Sequence, residues 1–130
     1  MGTFRVRIEV GDPQGQQFEV IEALADTGAT NSAVPAPLLR QLGVQPHRKA
    51  FFELYDGRTI ELEIGRTWIR LNGERELTQV VFGAEGSEPV LGAITLEEFG
   101  LVVDPVKRQL VPTNRLLMRG QKPRKFDGAQ

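Results

Sequence analysis

The chain has 130 residues, 40% hydrophobic and 25% charged, with sixteen Lys and Arg against seventeen Asp and Glu. That length suits one hydrophobic core, and a formal charge of -1 supplies no overall field toward nucleic acid or anionic lipid, so neither is expected as a partner. The absence of Cys excludes disulfides, thiol nucleophiles and thiolate metal sites, and the lone histidine, His47, leaves no His-based metal centre within one chain. No cofactor is expected.

No run approaches the ~20 apolar residues of a membrane span, and the segment Met1 to Val6 lacks the apolar stretch of a secretory signal. Gly2 invites myristoylation, but Val6 stands where that motif has Ser or Thr. A soluble, cytoplasmic protein without a membrane partner is the expectation.

Phe4, Val6, Ile8 and Val10 alternate with Arg5, Arg7 and Glu9, the period-2 pattern of a half-buried strand. Gly11 to Gly15 turns the chain, and Phe18 to Ala25 predicts a second strand that runs straight into Asp26-Thr27-Gly28-Ala29-Thr30. After an extended piece at Ala33-Val34, Pro35-Ala36-Pro37 opens a short helix with an apolar stripe of Leu38, Leu39 and Leu42 and a cap at Gly43. Lys49 to Tyr55 and Thr59 to Ile64 predict a hairpin, with Asp56-Gly57 supplying the positive φ angles of a two-residue turn. A second hairpin joins Thr67 to Leu71 with Leu77 to Phe82 through Asn72-Gly73. Trp68, within that alternation, is expected in the core, and His47 in a solvated loop.

Val90-Leu91-Gly92 predicts a short apolar strand, and Thr95 to Glu98 has the Thr-x-x-Glu spacing of a capping box before a helix closed by Gly100. Leu101 to Val103 and Gln109 to Val111 predict two last strands about Asp104-Pro105. From Thr113 the periodicity is lost and the sequence turns basic, so residues 1–112 are expected to form the domain and residues 113–130 a flexible tail.

Asp26-Thr27-Gly28, preceded by the apolar run Val20 to Ala25, resembles the active-site turn of retropepsin-like aspartic proteases. A bare Asp-Thr-Gly is also what an ordinary Asx turn contains. The order of the remaining parts carries the resemblance, which covers roughly Phe18 to Pro112. After the turn come an extended piece, a helix, a hairpin through Asp56-Gly57, the pair of apolar residues and Gly at Val90-Leu91-Gly92, and a short helix at Leu96 to Phe99.

The resemblance implies an all-β, closed acid-protease barrel with a flap hairpin and one or two short helices. It implies a homodimer that hydrolyses peptide bonds with one Asp26 from each chain, the Thr27 hydroxyls cross-bonding the two turns and Gly28 leaving room for the partner. It implies that Tyr55, Asp56 and Gly57 lie at a flap over the peptide and that Val90, Leu91 and Gly92 support the catalytic turn. Ala29 stands where pepsin-type enzymes usually have a Ser donating to the carboxylate, a difference that implies a less acidic optimum. The chain departs from the viral pattern at Ala93, where viral enzymes usually carry Arg, and in its unpatterned end, where they have a strand that knits the dimer. Two other readings stay open on sequence grounds: a non-catalytic dimerisation or peptide-binding module of the same fold, and a plain structural β domain.

Overall fold

The computed structural model describes residues 3–114; the expected basic tail lies outside the described residues, apart from Thr113 and Asn114. Strands β1 (Phe4–Gly11) and β2 (Phe18–Ala25) form an antiparallel ladder running from Phe4 opposite Ala25 to Gly11 opposite Phe18. The period-2 pattern is realised as expected, with Phe4, Ile8 and Val10 buried while Arg5 and Arg7 face water. The turn between them is tied by Asp12, whose Oδ1 accepts the Gln16 and Gln17 N–H groups at 2.7 and 2.8 Å. Those bonds, that from Gln17 foremost, hold its carboxyl below the usual carboxylate value.

The chain continues through β3 (Ser32–Pro35), α1 (Ala36–Gln41), β4 (Pro46–Glu53), β5 (Thr59–Leu71), β6 (Glu74–Gly83), β7 (Val90–Leu91), α2 (Ala93–Phe99), β8 (Leu101–Asp104) and β9 (Gln109–Pro112). Seven strands form one sheet in the order β1-β2-β7-β3-β6-β5-β4, and β8 pairs with β9 apart from it. The β2–β7 and β3–β6 pairs are parallel, which a chain of hairpins cannot give and which needs the crossovers through β4–β5 and α1. The sheet curls until β1 meets β5 at Glu9 opposite Arg70 and Val10 opposite Ile69. The class is all-β as expected, although this seam of two residue pairs is shorter than the ladder of a fully closed barrel. Inside the curl lie Ile8, Val10, Val34, Ile69, Val80, Phe82 and Leu91, with Leu39 of α1 and Leu96 of α2 closing the core.

Several local expectations are corrected. The Asp56-Gly57 hairpin does not use a two-residue turn with two positive φ angles, because only Gly57 (φ +90°) is left-handed. The Gly57 N–H donates to Leu54 O at 2.8 Å and the Leu54 N–H to Arg58 O at 2.7 Å, so Tyr55, Asp56 and Gly57 make a three-residue loop with Gly57 at the bulge. Asp56 is spent on Arg58, through a 2.8 Å ion pair and a 3.1 Å bond to its N–H. Asn72-Gly73 does form the two-residue turn, with φ +53° and +83°.

The strands read separately as Thr59 to Ile64 and Thr67 to Leu71 are one thirteen-residue strand, β5, shared by both hairpins. Gly65 lets it pass beneath the neighbouring chain, since a Cβ there would lie 2.9 Å from Gln45 O. His47 is exposed on β4 at a register shift rather than in a loop. Trp68 lies on the outer face, half-buried, where its indole N–H reaches Pro13 O at 3.1 Å and its ring meets the Arg75 guanidinium at 4.6 Å. A polar ring edge and a nearby arginine make that position better for Trp than the core.

Beside the seam, Arg70 stacks on the Phe18 ring at 3.9 Å and donates to Glu9 Oε1 at 2.6 Å. That hydrogen bond holds the Glu9 carboxyl below its ordinary 4.5 and raises Arg70. A depressed folded-state value contributes stability above the unfolded value and loses it as pH falls through the folded one. The stability difference between the protein and Glu9→Gln should therefore be constant at neutral pH and shrink once pH drops below 4.5, as urea midpoints taken across that range would record.

Candidate active site

β2 ends at Ala25 because the chain must turn at Asp26. The Asp26 O accepts the Ala29 N–H at 3.1 Å, and the Gly28 N–H donates to Asp26 Oδ1 at 2.9 Å. The carboxylate is thus anchored by one oxygen at the mouth of its own turn. Asp26 is half-buried, whereas Thr27 and Gly28 are exposed in the single chain. A Cβ on Gly28 would stand 3.2 Å from that same carboxylate oxygen, so a side chain there would crowd the anchor.

The turn is fastened from behind by the second loop, Pro89 to Ile94. Pro89 O accepts the Leu24 N–H at 2.9 Å and Leu91 O accepts the Asp26 N–H at 3.1 Å. On the far side the Ala93 and Ile94 N–H groups donate to Ala29 O and Thr30 O at 2.8 and 3.0 Å. Gly92 sits between these bonds, where a Cβ would lie 2.5 Å from both the carbonyl carbon and the oxygen of Asn31. Its φ of -95° is open to any residue, so the demand for glycine here is one of space. Val90, Leu91 and Gly92 are therefore brought to the turn.

α2 begins earlier than its predicted capping box. Gly92 is the N-cap and no side chain caps the helix, so Thr95 is inside the first turn with its hydroxyl buried. Gly100, at φ +68°, closes the helix as expected.

A groove of about 520 Å³ reaches Gly28, running between Gly28 to Asn31 and Phe51 to Glu53, and lined also by Ala33, Leu62 and Val81. Larger grooves, of about 630 Å³ beside α1 and about 670 Å³ beside α2, contain none of the residues from Asp26 to Asn31. The predicted flap residues Tyr55, Asp56 and Gly57 lie outside the Gly28 groove, and Tyr55 is fully exposed at the hairpin tip. Phe51, Phe52, Leu62 and Val81, which also line this groove, were not singled out in the sequence; Phe51 is 72% exposed. Among the described residues no cluster of three His, Cys, Asp or Glu could hold a metal ion, and no helix is long and apolar enough to cross a membrane.

No family model matches the sequence, and no curated protein does. Among solved structures the chain is similar to the simian foamy virus (mac) protease, with a TM-score of 0.53 at 16% identity over 74% of this chain and 94% of that one. It is similar also to the EIAV protease complexed with the inhibitor HBY-793, with a TM-score of 0.57 at 19% identity over 75% of this chain and 88% of that one. The fold is retropepsin-like. Along this chain the Asp26 turn, the hairpin of β4 and β5 and the loop at Gly92 follow one another in the order expected from the sequence. Identity this low establishes architecture and leaves chemistry to be argued from the site.

Proposed function

We propose that the chain is an aspartic endopeptidase whose site is completed by a second copy, with Asp26 of each supplying one of two carboxyl groups. The observation that carries this reading is the Asp26 turn: a half-buried carboxylate with one oxygen held by the Gly28 N–H at 2.9 Å, fastened from behind and open in front. Thr27 and Gly28, exposed in the single chain, are then the surface on which the partner's turn packs, with the Thr27 hydroxyls bridging the two turns.

The chemistry needs two carboxyls in different protonation states. Like charges a few ångström apart resist joint ionisation, so a facing pair shares one proton, as aspartic-protease dyads do. The ionised member takes a proton from water as the water oxygen attacks the peptide carbonyl carbon, and the protonated member gives its proton to the carbonyl oxygen. On collapse the carboxyl that took the water proton gives it to the departing nitrogen while a hydroxyl of the tetrahedral species returns its proton to the other carboxylate, so protons balance and the pair is restored. The groove beside Gly28, apolar at Ala33, Leu62, Val81 and Phe52, suits an extended peptide with a large apolar side chain near the cleaved bond. The hairpin with Tyr55, Asp56 and Gly57 at its tip would close over such a peptide. The lack of Cys fits work in a reducing compartment such as the cytoplasm.

The test is a mass-spectrometric screen of a peptide library at about pH 4 to 8, paired with thermal shift by pepstatin, a hydroxyl-bearing mimic of the tetrahedral species. Cleavage fastest between mildly acidic and neutral pH, together with a raised melting temperature, is expected. Protection without any cleavage would favour the non-catalytic peptide-binding module, and neither response would leave a structural β domain.

A further inference from the structure

Behind the catalytic turn lie three hydroxyls that the hydrolytic scheme does not use. Ser32 opens β3, Thr78 lies on β6 and Thr95 on α2, and their exposures are 1%, 0% and 0%. Ser32 Oγ accepts the Gly92 N–H at 2.9 Å and donates to Thr95 Oγ1 at 2.6 Å, and Thr95 Oγ1 is 3.0 Å from Thr78 Oγ1. The direction that gives both Ser32 and Thr95 an acceptor runs from Gly92 through Ser32 and Thr95 to Thr78.

We propose that Ser32 and Thr95 are positioning residues for Asp26, their hydroxyls fixing the height of the second loop beneath the catalytic turn. The kinetic part of this inference rests on the peptidase reading; the structural part stands without it. Backbone bonds fasten Leu91, Ala93 and Ile94 to the turn, whereas the Gly92 N–H in their midst is satisfied by a side chain, that of Ser32. A buried N–H stripped of its acceptor is relieved by moving the loop or by admitting water. The loop has no slack, since a Cβ on Gly92 would already be 2.5 Å from Asn31. Any shift must therefore pass to Asn31 or to Leu91, and Leu91 O is the acceptor for the Asp26 N–H. Thr95 acts one step back, holding Ser32 to α2 and, through Thr78, to the sheet. Three buried hydroxyls on three elements are costly unless fully bonded, and when bonded they specify one arrangement where apolar packing would permit several.

The experiment compares Ser32→Ala, Thr95→Val and Thr95→Ser with Thr67→Val. Thr67 is an apt control because it stands opposite Thr78 in the β5–β6 ladder and is equally buried, yet donates to Gly11 O outside this chain of hydroxyls. On a fluorogenic peptide built from a library hit, Ser32→Ala and Thr95→Val should lower kcat about 10- to 100-fold with KM nearly unchanged, the mark of displaced catalytic groups rather than lost binding. Thr95→Ser, which restores the hydroxyl, should stay within about twofold of the parent, as should Thr67→Val at a temperature where it is folded. Amide resonances of Asp26, Gly28 and Ala29 in nitrogen-15 spectra should move in Ser32→Ala and Thr95→Val and hold still in Thr67→Val. If the hydroxyl deletions lower only the melting temperature, with kcat and these resonances behaving as in Thr67→Val, the positioning role is overturned. Should the parent cleave no peptide, the peptidase reading falls by itself, and the resonances alone decide: unmoved, they overturn this inference too. Should Thr95→Val fail to fold, Ser32→Ala carries the same comparison.

Discussion

Asp26→Asn is expected to lower peptide cleavage by about 1,000-fold or more while leaving circular dichroism and association unchanged, because an amide keeps the volume of the carboxyl but cannot take a proton from water. The described chain has one such turn. The other described aspartates are engaged elsewhere: Asp56 with Arg58 at the hairpin tip, Asp12 with the Gln16 and Gln17 amides, and Asp104 with those of Val106 and Lys107. On the proposed reading a second copy supplies the second carboxyl, and a symmetric interface would repeat each contact twice. Mixing gives the sharper result. With Asp26→Asn in about ninefold excess, random pairing leaves roughly a tenth of the parent chains with an intact partner, so activity per parent chain should fall about tenfold. Specific activity should likewise fall on dilution below the dimer dissociation constant. Cleavage undiminished by an excess of freely exchanging mutant chain, or by chains that sediment as monomers, would place both carboxyls in one chain and end the shared-site reading.

Gly92→Ala is expected to be the most damaging change that adds a single carbon. The new methyl would meet the Asn31 carbonyl carbon and oxygen at 2.5 Å and Ala29 O at 2.9 Å, and all three atoms are backbone, so no side chain can swing aside. Overpacking of this kind costs about 3 kcal/mol, or a fall of about 10 °C in melting temperature for a domain of this size. Because the displaced backbone belongs to the Asp26 turn, the proposed peptidase reading has activity drop by more than the unfolded fraction explains. Gly43→Ala supplies the contrast. Gly43 has nothing within 4 Å of its would-be Cβ, but its φ is +84°, so the cost is about 1 kcal/mol of left-handed backbone with the site untouched. Melting curves and cleavage rates for the two variants separate a glycine needed for space from one needed for its backbone angle. Equal losses of activity in both would contradict the close packing of Gly92 on the turn.

Period-2 alternation placed β1, and an apolar run bounded by turn residues placed β2, because those signals are local and burial on one face enforces them. Asp26-Thr27-Gly28 was legible as a candidate turn for a related reason, since a polar tripeptide with Gly directly after an apolar run marks where a strand ends. Gly43, Asn72-Gly73 and Gly100 were legible because left-handed backbone selects its residues directly. Where two readings of a local signal competed, tertiary packing chose. Thr95 has capping-box spacing, yet the chain enters α2 three residues earlier, because Ala93 is drawn to Ala29 O and the Thr95 hydroxyl finds partners in the core. Trp68 alternates like a core residue, and only the neighbouring turn at Pro13 and the guanidinium of Arg75 make its outward place favourable. The parallel pairing of β2 with β7 and the antiparallel pairing of β3 with β7 bring Leu91 and Val90 against residues about 60 positions away, a proximity with no periodic trace. The chain alone thus determined which residues could turn, extend or cap. Only the folded sheet decided that Gly92 lies against Asn31 and that Ser32 and Thr95 meet beneath Asp26, since such contacts depend on which distant strands become neighbours.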